Sequence, residues 1–198
     1  MRSILYGSTA AALSLMSMFV VACASSDHSE SNEEAVDIKV SEKFATNFFK
    51  LAAKKPDSNI VVSPYSVSTA LSMAYNGAGS KTKSEMQNVL DYTGLSDEAV
   101  NQQNSSLYKS LMHVNPSSEL TVANAMFANK NFEFVKAFMD SNQKYYGAKL
   151  ETLDFADLST VNKINNWVKD NTKSKIPSIL DKVAPDAILY LVNAVYFK

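Results

Sequence analysis

One cysteine, Cys23, is all the chain has, so no disulfide can form within it. Arginine is just as scarce: Arg2 is the only one, and lysine supplies the rest of the positive charge. Beyond position 2 the chain lacks the planar fork that grips phosphate or carboxylate through two bonds at once, which argues against phosphoryl chemistry and nucleic-acid reading. Histidine occurs twice, at His28 and His113, too seldom for a histidine-based metal site and too far apart for a catalytic pair. Glycine and proline number five each, and no internal repeat or low-complexity run appears. Neither sign of charge dominates: 19 basic against 20 acidic residues leave a net charge of −1, which gives no reason to propose nucleic acid as a partner.

What is there is ordinary globular material, 46% apolar and 20% charged over 198 residues, enough for one domain or part of a larger one. The constellations of common enzymes are missing. Gly77-Ala-Gly79-Ser-Lys81-Thr82 has the outline of a phosphate loop, but Ser80 replaces the glycine before the lysine and a helix precedes it where a strand is needed. Asp154 and Asp157 lie close in sequence as solvated loop carboxylates. The chain is therefore not read as an enzyme, and no catalytic residue, metal or cofactor is assigned.

The first 22 residues have the layout of a secretory signal peptide: Arg2, then a stretch of small and apolar residues from Thr9 to Val21. That stretch is shorter than the ~20 residues a bilayer crossing needs. It exits through Val20-Val21-Ala22-Cys23, which resembles the lipobox of bacterial lipoproteins. The resemblance implies cleavage before Cys23 and acylation of its sulfur, with Ala24 in the next position favouring outer-membrane sorting. Residues 23–34 carry four acids, no lysine and little apolar surface, and read as a disordered tether.

From residue 35 the pattern turns globular. Val36, Val40, Phe44, Phe48 and Leu51 recur at helical spacing, with Ser31-Asn32-Glu33-Glu34 as a capping box. Asn59-Ile60-Val61-Val62 reads as a short strand, and Ser63-Pro64 as a helix start rich in small residues, stopped by Asn76-Gly77. Thr82-Lys83-Ser84-Glu85 predicts a second capping box before a helix facing inward with Met86, Val89 and Leu90; Gly94 follows, and Ser96 caps a helix to about Met112. Strands are expected over 119–128 and 149–153, and helices over 132–145 and around Val161, Ile164, Trp167 and Val168. The apolar run 187–198 suits a central strand covered on both faces. Helices first and then interleaved strands and helices give an α+β class without regular βαβ alternation.

Several blocks then fall in a telling order: Asn59-Ile-Val-Val-Ser63-Pro64-Tyr-Ser66-Val, Ala70-Leu-Ser-Met-Ala-Tyr-Asn-Gly77-Ala-Gly79-Ser-Lys-Thr82, Val122-Ala-Asn124-Ala-Met-Phe127, Tyr146-Gly-Ala148, Asp154-Phe155, Ile164-Asn-Asn-Trp167-Val168, Thr172-Lys-Ser-Lys-Ile176 and Leu191-Val-Asn193-Ala-Val-Tyr-Phe197. Together they resemble the serpin family over about residues 36–198. The resemblance implies the N-terminal portion of a serpin fold: helices A to F, the first three strands of sheet A and one strand of sheet B. It further implies a suicide inhibitor of serine, and by extension cysteine, endopeptidases. In that family a cleaved loop inserts between strands three and five of sheet A, driven by strain stored in the native fold.

Ser63, Ser66 and Asn193 match the family's shutter, the region that must open. Asn193 sits within an apolar strand, where an amide needs partners that hydroxyls at the helix start can supply. Taken alone, Ser63 is a helix cap. Asn59, Pro64, Thr82, Asn124 and Trp167 match the pattern in structural roles, Trp167 as a core anchor. Serpins run to about twice this length, so the reactive loop and its bond are expected to lie beyond Lys198, leaving this chain inactive alone with an open sheet edge prone to aggregation. A full-length protein is expected to be a monomer whose partner is a target protease and whose only membrane contact is the lipid anchor. A lipid-anchored, non-inhibitory binding protein on the same scaffold is the alternative, and hinge residues decide between the two.

Overall fold

The structure, a computed structural model, describes residues 39–54, 59–112 and 119–198, all within the unit Val36–Lys198. Cys23, His28, His113 and the box at 31–34 lie outside these residues. Among the described residues the order is α1 (Lys39–Ala52), α2 (Pro64–Tyr75), α3 (Ser80–Leu90), α4 (Asp97–Met112), β1 (Leu120–Asn129), α5 (Lys136–Tyr146), β2 (Lys149–Leu153), α6 (Thr160–Asn171) and β3 (Leu189–Phe197). Six helices and three strands of one sheet reproduce the expected α+β class.

Local signals open and close most of these elements. The Ser63 hydroxyl accepts from the Ser66 N–H at 3.2 Å, and Pro64 takes the first helical position of α2, where its missing N–H costs nothing. Ser96 caps α4 in the same way, accepting from Ala99 N–H at 3.1 Å. Gly147, at φ 57°, ends α5 in the left-handed conformation that glycine adopts without penalty.

The sheet runs β2-β1-β3, with β1 parallel to β2 and antiparallel to β3. Alternation along the strands separates two faces. On one, Ala125, Phe127 and Val192 pack with Leu153, Phe155, Ile164 and Val168 beneath α6, which touches both β1 and β3. Trp167, partly buried, meets the Phe127 ring edge-on at 5.8 Å. On the other face Met126, Leu189 and Leu191 pack against Met73 of α2 and Tyr146 of α5. A third cluster, Phe44, Tyr75, Leu90, Tyr92 and Val100, joins α1 to α2, α3 and α4.

Four expectations need correction. The strand over 59–62, and with it the strand of sheet B, does not form: no strand pairs with it among the described residues, and Val61 is 97% exposed. A strand needs a neighbour for its backbone groups, and at Ser63 the chain already accepts the first α2 bond from Val67. Helix α3 starts a turn earlier than its box, with Gly79 as cap and Lys83 N–H bonded to the Gly79 carbonyl, so Thr82 is an exposed residue inside the first turn. On that helix Leu90 is buried while Val89 points outward; Leu51 of α1 is likewise exposed. Helix α5 begins at Lys136, because Phe132 to Val135 line a groove beside it. Strand β3 is covered on both faces, by α2 and α6, and among the described residues pairs with β1 alone.

Candidate functional site

Antiparallel register sets Asn124 of β1 directly opposite Asn193 of β3, both on the face that looks toward α2 and α5. A chain of hydrogen bonds between neutral groups runs through them. The Ser66 hydroxyl, in the first turn of α2, donates to Asn193 Oδ1 over a short contact. Asn193 Nδ2 donates to Asn124 Oδ1 at 2.7 Å, and Asn124 Nδ2 to the Tyr146 carbonyl at 2.8 Å. Tyr146 is the last residue of α5, so its carbonyl is one that the helix itself leaves free. Asn124 is 5% exposed, and an amide buried to that degree is costly without such partners.

Of the three sequence-derived shutter residues, the structure brings Ser66 and Asn193 into contact. Ser63 stands one step back, capping α2 and fixing the turn that presents Ser66. Pro64 sits beside it at the helix start, Asn59 is exposed in the preceding segment, and Thr82 and Trp167 lie elsewhere. Asn124 joins the chain itself, a role its strand position did not reveal. A second polar knot also escaped the sequence reading: Asn76, just past α2, donates to Asn101 of α4 at 3.0 Å and to Asn142 of α5 at 2.9 Å, and Asn142 donates to the Met73 carbonyl at 3.2 Å. Asn124 and Asn193 stand inside apolar runs, which is a signal in the sequence, whereas Asn101 is followed by Gln102-Gln103-Asn104 and Asn142 lies within Asp140-Ser141-Asn142-Gln143-Lys144, where nothing sets it apart.

Nothing in the chain of amides and hydroxyls is a nucleophile paired with a base. It joins two strands and two helices, β1 and β3 with α2 and α5. Beside it the Tyr146 hydroxyl is buried without a hydrogen-bond partner among the described residues, and burial pushes its pKa far above the ordinary value. No group of three or more histidine, cysteine or carboxylate side chains is arranged to hold a metal, and no helix is long and apolar enough to cross a membrane, among the described residues.

Residues 39–198 match the family model described as Serpin (serine protease inhibitor). The leukocyte elastase inhibitor of Sus scrofa is 36% identical over 161 residues, 79% of this chain and 42% of that protein. The solved structure of cleaved kallistatin complexed with heparin superposes with a TM-score of 0.74 at 32% identity, covering 80% of this chain and 48% of that one. The thermophilic serpin Tengpin in its latent state gives 0.72 at 32% identity, covering 86% and 45%. The chain thus spans less than half the length of these relatives. With the element order, the sheet and the ordered motifs all in agreement, the chain belongs to the serpin family.

Proposed function

We propose that this chain is the N-terminal part of a lipid-anchored suicide inhibitor of serine endopeptidases, and that Ser66, Asn193 and Asn124 fasten the sheet that must open when the inhibitor acts. In this reading the active-site serine of the protease attacks a loop of the inhibitor, the peptide bond breaks, and an ester joins the two proteins. The same trap extends to cysteine endopeptidases through a thioester. The observation that supports the reading is the bond from Ser66 to Asn193: it pins β3, the strand beside which the family's loop inserts, to the first turn of α2. A bond there resists opening while the protein waits and re-forms around whatever the opened sheet accepts.

The test begins with genomic DNA. The reading frame is followed past codon 198, its whole product is expressed, and that product is mixed with chymotrypsin, trypsin and pancreatic elastase in turn. A band stable in sodium dodecyl sulfate, at the summed mass of protease and inhibitor, is the expected outcome. Cleavage that leaves every protease active and gives no such band sinks the inhibitor reading and favours the binding one. The anchor is checked separately: labelled palmitate is expected to enter the membrane-fraction protein and to be lost in Cys23→Ser.

A further inference from the structure

Helix α6 is held differently at its two ends. At its start the Thr160 hydroxyl donates to the Asp154 carbonyl at 2.6 Å, an ordinary closure by neighbouring residues. At its end the chain turns through two consecutive residues in the left-handed region, Lys173 at φ 49° and Ser174 at φ 61°, and neither is glycine. L side chains resist this conformation because Cβ crowds the carbonyl that follows. The turn is closed by Ser174 N–H bonding to the Lys169 carbonyl at 2.8 Å, and by the buried Thr172 hydroxyl, which donates to the Val168 carbonyl at 2.8 Å and accepts from Ile176 N–H at 3.1 Å.

None of those bonds ties the turn to the sheet. Lys173 does. Its ammonium pairs with the Glu119 carboxylate in a short contact and lies 5.3 Å from the centre of the Tyr196 ring. Glu119 and Lys198 exchange both backbone hydrogen bonds, each 2.9 Å, and form the outermost rung of the β1–β3 ladder. One side chain therefore grips the first residue of that rung and an aromatic ring on the facing strand. Glu119 in turn holds the Lys173 pKa above its ordinary value.

We propose that Lys173 is a catch: it fixes the C-terminal turn of α6 over the last rung of the β1–β3 ladder and sustains the left-handed backbone there. The catch is electrostatic and reachable by ions, since the two side chains are 52% and 44% exposed. Its consequence rests on the inhibitor reading: α6 lies across β1 and β3, so the sheet cannot open freely while that end is held.

Amide hydrogen exchange in the chain tests it. Lys173→Gln is expected to speed exchange at Ser174, Lys175, Ile176 and Lys198 by roughly three- to fivefold, the range an exposed pair supports. Asn162 and Lys163, bonded to Ser159 at the other end of α6, are expected to keep their rates. Salt at 1 M should reproduce the effect in the unaltered chain and add nothing to Lys173→Gln. The reversed pair, Lys173→Glu with Glu119→Lys, should restore protection, and Ser174→Gly should slow exchange by relieving the turn. Unchanged rates in Lys173→Gln, acceleration spread over every helix, or indifference to salt overturns the proposal. Exchange is read without any protease, so failure to form acyl-enzymes tells against the inhibitor reading and leaves this result standing.

Discussion

Removing the Asn193 side chain strips two neighbours at once. Ser66 loses an acceptor and Asn124 loses a donor, both in a half-buried or buried setting where water is a poor substitute. Asn193→Ala is expected to cost about 1–3 kcal/mol of unfolding free energy. Ser63→Ala should cost about 1 kcal/mol, the usual loss of a helix cap, because its hydroxyl serves one backbone N–H and nothing on the sheet. Urea unfolding followed by circular dichroism reads both midpoints, with the slope unchanged if only stability moves. An Asn193→Ala loss no larger than that of Ser63→Ala would show that the amide is not shared. Ser66 and Asn193 were legible through their resemblance to the family motif, with the amide's place in an apolar run as the one physical sign that it needs a partner. Asn124 was harder to read: its partner lies 69 positions away and depends on strand register. The Tyr146 carbonyl was not legible at all, since a backbone acceptor leaves no mark on residue type.

Three helices meet at one carboxylate. Asp97, the first residue of α4, accepts from Lys83 of α3 at 2.5 Å and from the Tyr75 hydroxyl of α2 at 2.8 Å, while Gln87 donates to that hydroxyl at 3.0 Å. The Lys83 hydrogen bond holds the Asp97 pKa below the ordinary carboxylate value; burial opposes it, and the Tyr75 hydrogen bond adds to the lowering. A carboxyl whose folded pKa lies below its unfolded value of about 3.9 binds its proton more readily unfolded, so its contribution is complete above that value and fades as pH falls through the folded pKa. Asp97→Asn should therefore lower stability at pH 7, and the two stability curves should converge below about pH 4. Parallel curves from pH 7 to pH 2 would show that the carboxylate charge is not what joins the helices. The helices themselves were readable from their period, because each buries one stripe: Phe44 on α1, Ile164 and Val168 on α6. Where apolar residues serve something other than such a stripe the period misleads. Phe132 and Val135 line a groove, and Ile60 and Val62 alternate with exposed neighbours in a segment with no strand to pair with among the described residues.

At the scale of the whole molecule, the described residues cover the sheet on its faces but not along its length at β3. Helices α2 and α6 close the two sides, while β3 hydrogen-bonds only to β1 among the described residues. From Leu189 to Phe197 the strand carries no charged residue and no proline, the usual means of blunting an edge, and Phe197 at its end is 73% exposed. A row of free backbone groups on an apolar strand is a template for another strand. The 198-residue chain expressed by itself is therefore expected to associate as its concentration rises, with light scattering after size exclusion reporting masses above the monomer. Phe197→Lys should shift that distribution toward the monomer and leave the circular dichroism spectrum unchanged, because the residue is outside the core and adds charge at the strand's end. A chain that stays monomeric at every concentration would mean the edge is already protected, and that outcome would also weaken the proposal that β3 is where a further strand enters. Association relieved by one lysine would show that the edge accepts a strand, the same physical property that insertion beside β3 requires.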